Sequence, residues 1–459
     1  MATRLISSIR VEKLFGLYTY EVPEIGELSN AAILYGDNGV GKSTLLQIVF
    51  HLLSAKDNRG HRTALYNSSF SRLEVTLASG VKLTAYFVGE DKSKILTLEV
   101  IDGTKKVAAW DYHPNDKRFI GEELEIEISE DGDRVITRRR TSRRKQNFEN
   151  VPRGKQPYLS ALTSFIPSLF ILNADRRLDS DTVSDPGDEV ELRRTMQFGE
   201  PKRIKELVVR SREIALSQAL SNAASWLSRK AVIGTNKGSM NVHSVYGDVL
   251  RKLLSPSAPK ERPVESVTTK DLVSHLEYID SKTAEHARYE LSTHLPTDEF
   301  REALGKHKTE KSELAAEVLE PYIKSVQGRL EAVDPIYQLI DRFITIINEL
   351  LRDKEITFKL SQGFSIKNRL GVALSPSQLS SGEQQLLLLF CHVLTARDTP
   401  SVFMIDEPEI SLNIKWQRQL VQSLLDIISK ADIQLIFASH SIELLTQHRS
   451  RVVKLVNKS

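Results

Sequence analysis

The sequence predicts an α/β protein: a mixed sheet with an antiparallel β subdomain, interrupted by a helical insertion. Three observations carry that expectation. A strand-like run, Ala31-Ala32-Ile33-Leu34-Tyr35, enters Gly36-Asp37-Asn38-Gly39-Val40-Gly41-Lys42-Ser43, and an apolar helical run over 44–53 follows directly. Late in the chain two more apolar runs end in polar pairs. Val402-Phe403-Met404-Ile405 closes on Asp406-Glu407, and Ile433-Gln434-Leu435-Ile436-Phe437 precedes Ser439-His440. Between the two ends the texture passes from alternation to helical spacing and back.

In order, Ile6, Ile9 and Val11 mark a first strand before the glycine loop. Leu73-Glu74-Val75-Thr76-Leu77, a Ser79-Gly80 turn and Lys82-Leu83-Thr84-Ala85-Tyr86-Phe87 read as a hairpin. Further strands are expected near 95–101, 106–110 and 123–137, and a buried one at Ser168-Leu169-Phe170-Ile171-Leu172. A polar break at 179–188 opens a mostly helical stretch, 189–350. Its last helix carries Ile336, Leu339, Ile340, Phe343, Ile346, Ile347, Leu350 and Leu351 on one broad face. That stripe is wider than a coiled-coil seam and reads as core or interface. Strand texture returns at 355–360. The expected division is 1–180 with the β subdomain, 181–354 as the helical insertion, and 355–459 as the closing lobe.

Composition narrows the class without naming a function. The chain has 459 residues, 40% hydrophobic and 27% charged, as in an ordinary globular protein. It has no apolar run of about eighteen residues, and its first residues lack the block of a signal peptide, so no membrane partner and a cytoplasmic location are expected. One cysteine, Cys391, excludes an internal disulfide and sits in an apolar helix as a small core residue. Net charge is +3, from 63 basic and 60 acidic residues, yet Arg138, Arg139, Arg140, Arg143, Arg144 and Lys145 cluster. That run is either a solvated edge or a contact for phosphate backbones or acidic proteins. It has no interleaved aromatics for base stacking. Asp131-Gly132-Asp133 reads as a turn, not a metal site.

The glycine loop is built to hold phosphates. Backbone amides across Asp37, Asn38, Gly39, Val40 and Gly41 wrap the anion, and the helix opening at Lys42, Ser43 and Thr44 adds its positive end. Lys42 is placed for the β- and γ-phosphates, and Ser43 for Mg²⁺. Asp406 is the second metal residue, and Glu407 orients or deprotonates the attacking water. Leu379-Ser380-Ser381-Gly382-Glu383-Gln384-Gln385 opens a helix. Ser380 suits its N-cap, with Glu383 completing a capping box. The same helix end, Ser380 through Glu383, also suits an anion, and the two roles are compatible.

Taken in order, these motifs resemble the ABC ATPase superfamily. The resemblance implies an ABC-type head binding ATP and Mg²⁺, with Ser380, Ser381, Gly382 and Glu383 closing on the ATP held by another copy. It therefore implies a homodimer through composite sites. It also makes His440 the switch histidine at the γ-phosphate and places Ser411-Leu412-Asn413 at the family's D-loop. Ser381 replaces a glycine of the commonest signature, and Asn413-Ile414 stands where relatives often carry His-Pro or an acid. No Q-loop glutamine stands out; Asn173 holds that position. Phe15 and Tyr18 are the aromatic candidates for adenine.

Within the superfamily the chain is most similar to OLD-like, SMC-type ATPases of prokaryotic anti-phage systems. The similarity covers roughly 1–55 and 355–445 and includes Asn173-Ala174-Asp175-Arg176-Arg177. The segment after His440 is too short for a TOPRIM nuclease. The resemblance thus implies a sensor and scaffold that holds a separate TOPRIM or HNH nuclease effector, as in PARIS or Septu systems. Assembly into a higher ring and release by a phage-encoded trigger are implied with it. A RecF-like repair clamp that binds DNA directly is the alternative.

Overall fold

Two kinds of strand texture sort into two sheets. The computed structural model describes residues 5–57, 59–89, 94–114, 125–128, 134–137, 153–173, 178–180, 201–239, 247, 269–305, 310–409, 412 and 414–458. The chain divides into two compact units, Met1–Gln197 with Ala396–Ser459, and Phe198–Thr395.

In the first unit, strands of mixed burial, with β4 alternating strictly, build an antiparallel sheet. They are β1 (Ile6–Leu14), β2 (Tyr18–Val22), β4 (Arg72–Leu77), β5 (Val81–Val88), β6 (Ile95–Asp102) and β7 (Lys105–Tyr112), in the order β2-β1-β4-β5-β6-β7. Four mostly apolar, buried runs form the middle of a second sheet. Its members are β3 (Ala31–Tyr35), β10 (Ser168–Leu172), β11 (Leu178–Ser180), β14 (Ser401–Asp406), β15 (Ile433–Ser439) and β16 (Val452–Lys454), ordered β11-β10-β14-β15-β3-β16. All its pairings are parallel except β10 with β11. A further hairpin, β8 (Glu125–Ile128) with β9 (Arg134–Thr137), lies where strands were expected. The run 138–145 and Asp131-Gly132-Asp133 fall outside the described residues.

Helices α1 (Lys42–Leu53), α2 (His61–Asn67) and α3 (Lys155–Phe165) join both sheets in one core, with Leu45, Val49 and Leu52 beside Leu73, Leu98 and Met404. Gln434 stitches the sheets polar to polar. Its carbonyl accepts the Leu5 and Ile6 N–H groups at 3.2 and 2.7 Å, and its amide donates to the carbonyls of Ile6 and Ser29 at 2.9 and 3.0 Å.

The second unit holds α4 (Pro201–Ser239), α5 (Thr269–Ala287), α6 (Asp298–Gly305), α7 (Glu310–Leu350), the hairpin β12 (Lys354–Lys359) with β13 (Gly363–Asn368), and α8 (Ser381–Thr395). α4 and α7 run for 39 and 41 residues, inside the stretch 189–350 expected to be mostly helical. Helical spacing is present in α7 ahead of the 336–350 stripe, where Ile323, Leu330 and Val333 are buried. α8 packs on α4, and Cys391 is buried there, its thiol pushed up by burial. No described helix is long and apolar enough to cross a membrane.

Where α1 meets α2, His51 and His61 face each other with Nδ1 atoms 3.0 Å apart, and Arg62 donates to the carbonyls of His51 and Ser54. Burial, with the neighbouring positive charges adding, pushes both imidazoles from 6.5 down to about 4. The unfolded chain therefore takes up these protons first, and stability falls as pH drops from 6.5 towards 4. Between pH 7 and 5 the expected loss is about 2 kcal/mol per histidine. Urea titrations at the two pH values check it: His61→Asn should flatten the slope, and an unchanged slope would exclude the pair as its source.

Candidate nucleotide site

Sheet order places the loop ends together. β15 lies between β3 and β14, in registers that pair Tyr35 with Ser439 and Asp406 with Ala438, so all three strands end at one edge. From β3 the chain turns through Gly39 and Gly41, whose φ values of +84° and +91° suit glycine. At Gly41 a Cβ would also meet Leu14 Cδ2 at 2.7 Å and Phe15 Cε2 at 2.9 Å. Tyr20, on β2, donates its hydroxyl to the Val40 carbonyl at 3.0 Å and so steadies the loop from below. Burial raises the Tyr20 hydroxyl to about 12.

α1 starts from Gly41 with no side-chain cap, which leaves its first-turn N–H groups open to an anion. Lys42 curls into the loop and donates to the carbonyls of Gly36 and Asp37 at 2.8 and 2.9 Å. Asp37, Asn38 and Gly39 are exposed around it, while Val40, Ser43 and Thr44 are half-buried. Ser43 donates its hydroxyl to Asp406 Oδ1 at 2.8 Å across 363 residues of chain. Two hard oxygen donors at that spacing fit Mg²⁺, and Lys42 and the open amides fit its phosphates. Burial raises the Asp406 carboxyl to about 6, with Glu407 and Glu409 adding and Ser43 and Lys42 opposing. A proton or a cation beside it relieves the same cost.

Glu407 stands at φ +46°, a conformation that costs a non-glycine residue about 1–3 kcal/mol. Its N–H donates to the Ala438 carbonyl at 2.8 Å, which holds the turn, and its side chain stays partly open. His440 is exposed, with Nδ1 3.8 Å from Glu407 Oε1. The structure thus gathers Lys42, Ser43, Asp406, Glu407 and His440 within one unit.

The sequence reading passed over Glu409 and Gln417. Glu409 is buried, and its carboxylate accepts from the Ser439 hydroxyl and the N–H groups of His440 and Ser441. The available signal was a third acid beside Pro408, which looks the same in any surface turn. Gln417 lies on α9 (Ile414–Ile427) and donates to the Leu412 carbonyl at 3.0 Å. Ser411 and Asn413 lie outside the described residues. Asn173 follows the end of β10, and 174–177 are outside the described residues.

The Ser380–Glu383 segment belongs to the second unit. Its capping box forms: Glu383 accepts the Ser380 N–H at 2.7 Å, and the Glu383 N–H reaches Ser380 Oγ at 3.4 Å. Ser381 is exposed and Gly382 buried at the head of α8. Lys354, a third residue the sequence reading did not single out, donates to both Glu383 oxygens at 3.0 Å. Burial works to raise the Glu383 carboxyl, but the Ser380 N–H and Lys354 outweigh it and hold it below its usual value. Lys354→Met strips that buried carboxylate of its cation and should cost about 2 kcal/mol. Chemical denaturation reads it, and a loss under about 0.5 kcal/mol would show the pair to be worth no more than a surface bridge.

Comparison with known proteins agrees with this geometry. Residues 250–446 match the family described as "AAA domain, putative AbiEii toxin, Type IV TA system". The phosphonates import ATP-binding protein PhnC of Lactobacillus delbrueckii subsp. bulgaricus is 32% identical over 101 residues, 22% of this chain and 38% of that one. The molybdenum import ATP-binding protein ModC of Escherichia coli is 33% identical over 82 residues, 18% of this chain and 22% of that one. The chain therefore spans well under half the length of these two relatives. The Smc head domain with an extended coiled coil from Pyrococcus furiosus, solved bound to the C-terminal domain of ScpA, aligns over 99% of this chain and 96% of that one. Identity is 14% and the TM-score 0.34, too low to bear on fold or function. Over these parts the chain is similar to the ATP-binding subunits of importers and to the AAA domain family.

Proposed function

We propose that the protein hydrolyses ATP with Mg²⁺, in a site that a second copy completes, and that turnover drives a sensor and scaffold of anti-phage defence. The observation that carries the chemistry is the 2.8 Å contact between Ser43 and Asp406, with Glu407 next in the chain and His440 beside it. Ser43 and Asp406 would hold the metal, which would screen the phosphate charge. Lys42 turns from its loop carbonyls to the β- and γ-phosphates. Glu407 takes the proton of the attacking water, and His440 meets the γ-phosphate.

Ser380, Ser381, Gly382 and Glu383 supply the opposite wall from the second copy, where the capped helix end offers amides to the same phosphate. The defence role rests on the resemblance to OLD-like ATPases and on the toxin–antitoxin description of the matched family. In it the assembly, a dimer or larger ring, holds a nuclease effector of TOPRIM or HNH type and frees it when a phage product shifts the ATP-bound state.

Phosphate release tests the shared site. Specific activity should rise with protein concentration, and Ser380→Arg should lower it about 100-fold by filling the anion site. Full activity in that variant, or activity independent of concentration, would exclude a site built from two copies. For the defence role, the product of the neighbouring gene should co-purify in ATP and separate on phage infection. A neighbour that never binds would remove that part.

A further inference from the structure

Hydrolysis as described leaves Glu409 without a task. Pro408 turns the chain after β14 and sends the Glu409 carboxylate under the turn between β15 and α10 (Ile442–Gln447), where the residue is 7% exposed. Oε1 accepts from Ser439 Oγ at 2.8 Å, from the His440 N–H at 3.0 Å and from the Ser441 N–H at 3.2 Å. The same oxygen lies 3.3 Å from His440 Nδ1, nearer than Glu407 at 3.8 Å. Oε2 is buried and accepts nothing among the described residues. Gln417 closes the far side, its amide donating to the carbonyls of Glu409 and Leu412 at 3.4 and 3.0 Å and its carbonyl accepting the Ser441 hydroxyl at 2.9 Å.

A neutral amide could accept the same three donors without burying a charge, and a buried carboxylate with one idle oxygen is costly. Charge becomes useful where a ring N–H must be gripped, because charge-assisted hydrogen bonds are the stronger kind. We propose that Glu409 is a positioning residue for His440. It anchors the backbone of that residue, holds the ring proton on Nδ1 and leaves Nε2 for the nucleotide. The inference rests on the reading of His440 as the γ-phosphate contact, and it adds the group that aims the ring. Through Gln417 the same anchor ties Leu412 to the histidine turn.

Nitrogen NMR of the nucleotide-free full chain, labelled with ¹⁵N-histidine and assigned against His440→Ala, tests the grip directly. The neutral His440 ring should carry its proton on Nδ1, and Glu409→Gln should move it to Nε2. In phosphate release, Glu409→Gln should lower kcat about tenfold to hundredfold, with KM for ATP little changed. In the His440→Ala background the same change should cost less than about twofold, because Glu409 acts through the ring. A wild-type ring protonated on Nε2 overturns the proposal, as does an equal loss in both backgrounds, which would make Glu409 a support for the turn. The wild-type spectrum decides even if the variant fails to fold. It needs no turnover, so an inert Glu407→Gln substitution would sink the hydrolysis reading separately.

Discussion

Glu407→Gln is expected to lower ATP turnover about 10²–10⁴-fold while ATP still binds. The amide keeps the size and hydrogen bonding of the side chain and cannot take a proton from water. Lys42, Ser43 and Asp406, the residues proposed to hold nucleotide and metal, are untouched, so the loss belongs to kcat and not to KM. The backbone at φ +46° argues the same way. A strained turn survives where the fold over-determines it, and here the Ala438 carbonyl fixes it at the end of a buried strand. Single-turnover hydrolysis with labelled ATP is the direct measurement. A rate within about threefold of the parent would remove Glu407 as the base. Trapping of the ATP-bound form by the variant would also make the shared site visible as a nucleotide-dependent dimer.

Gln434→Leu is expected to cost about 4 kcal/mol or more of unfolding free energy, a larger effect than its size suggests. The side chain is fully buried and makes four hydrogen bonds to backbone groups of Leu5, Ile6 and Ser29. Leucine fills the volume and leaves those groups dry and unpaired, at about 1–3 kcal/mol each. Some recover by local shifts or water, which sets the lower figure. Urea unfolding of the two proteins gives the difference. A cost below about 1 kcal/mol would mean that the link between β1 and β15 is dispensable and that apolar packing alone joins the two sheets.

Legibility followed the range of the interactions. Strand, glycine loop and helix at 31–53 were readable because three local signals agree there: an apolar run, glycines at the turn and a second apolar run at helical spacing. The capping box at Ser380 was readable because both partners lie within one turn of helix. Lys354 was not, since its value depends on Glu383, which the chain brings to it from beyond a hairpin. Glu409 looked like any acid in a turn until burial and three donors set it apart. Gln434 was passed over inside an apolar strand, where one polar residue seems a blemish until its four partners are in view.

The sequence by itself determined which groups are on offer: a glycine loop with Lys42 and Ser43, an acidic pair at Asp406 and Glu407, a histidine after a buried strand, and a capped helix end at Ser380. These are local patterns, set by backbone geometry and residue type over a few positions. Tertiary structure alone decided which groups meet. β15 came to lie between β3 and β14, Ser43 met Asp406, Glu409 reached His440, and Gln434 joined two sheets. Such pairings depend on the register of parallel strands far apart in the chain, and no local preference encodes that register.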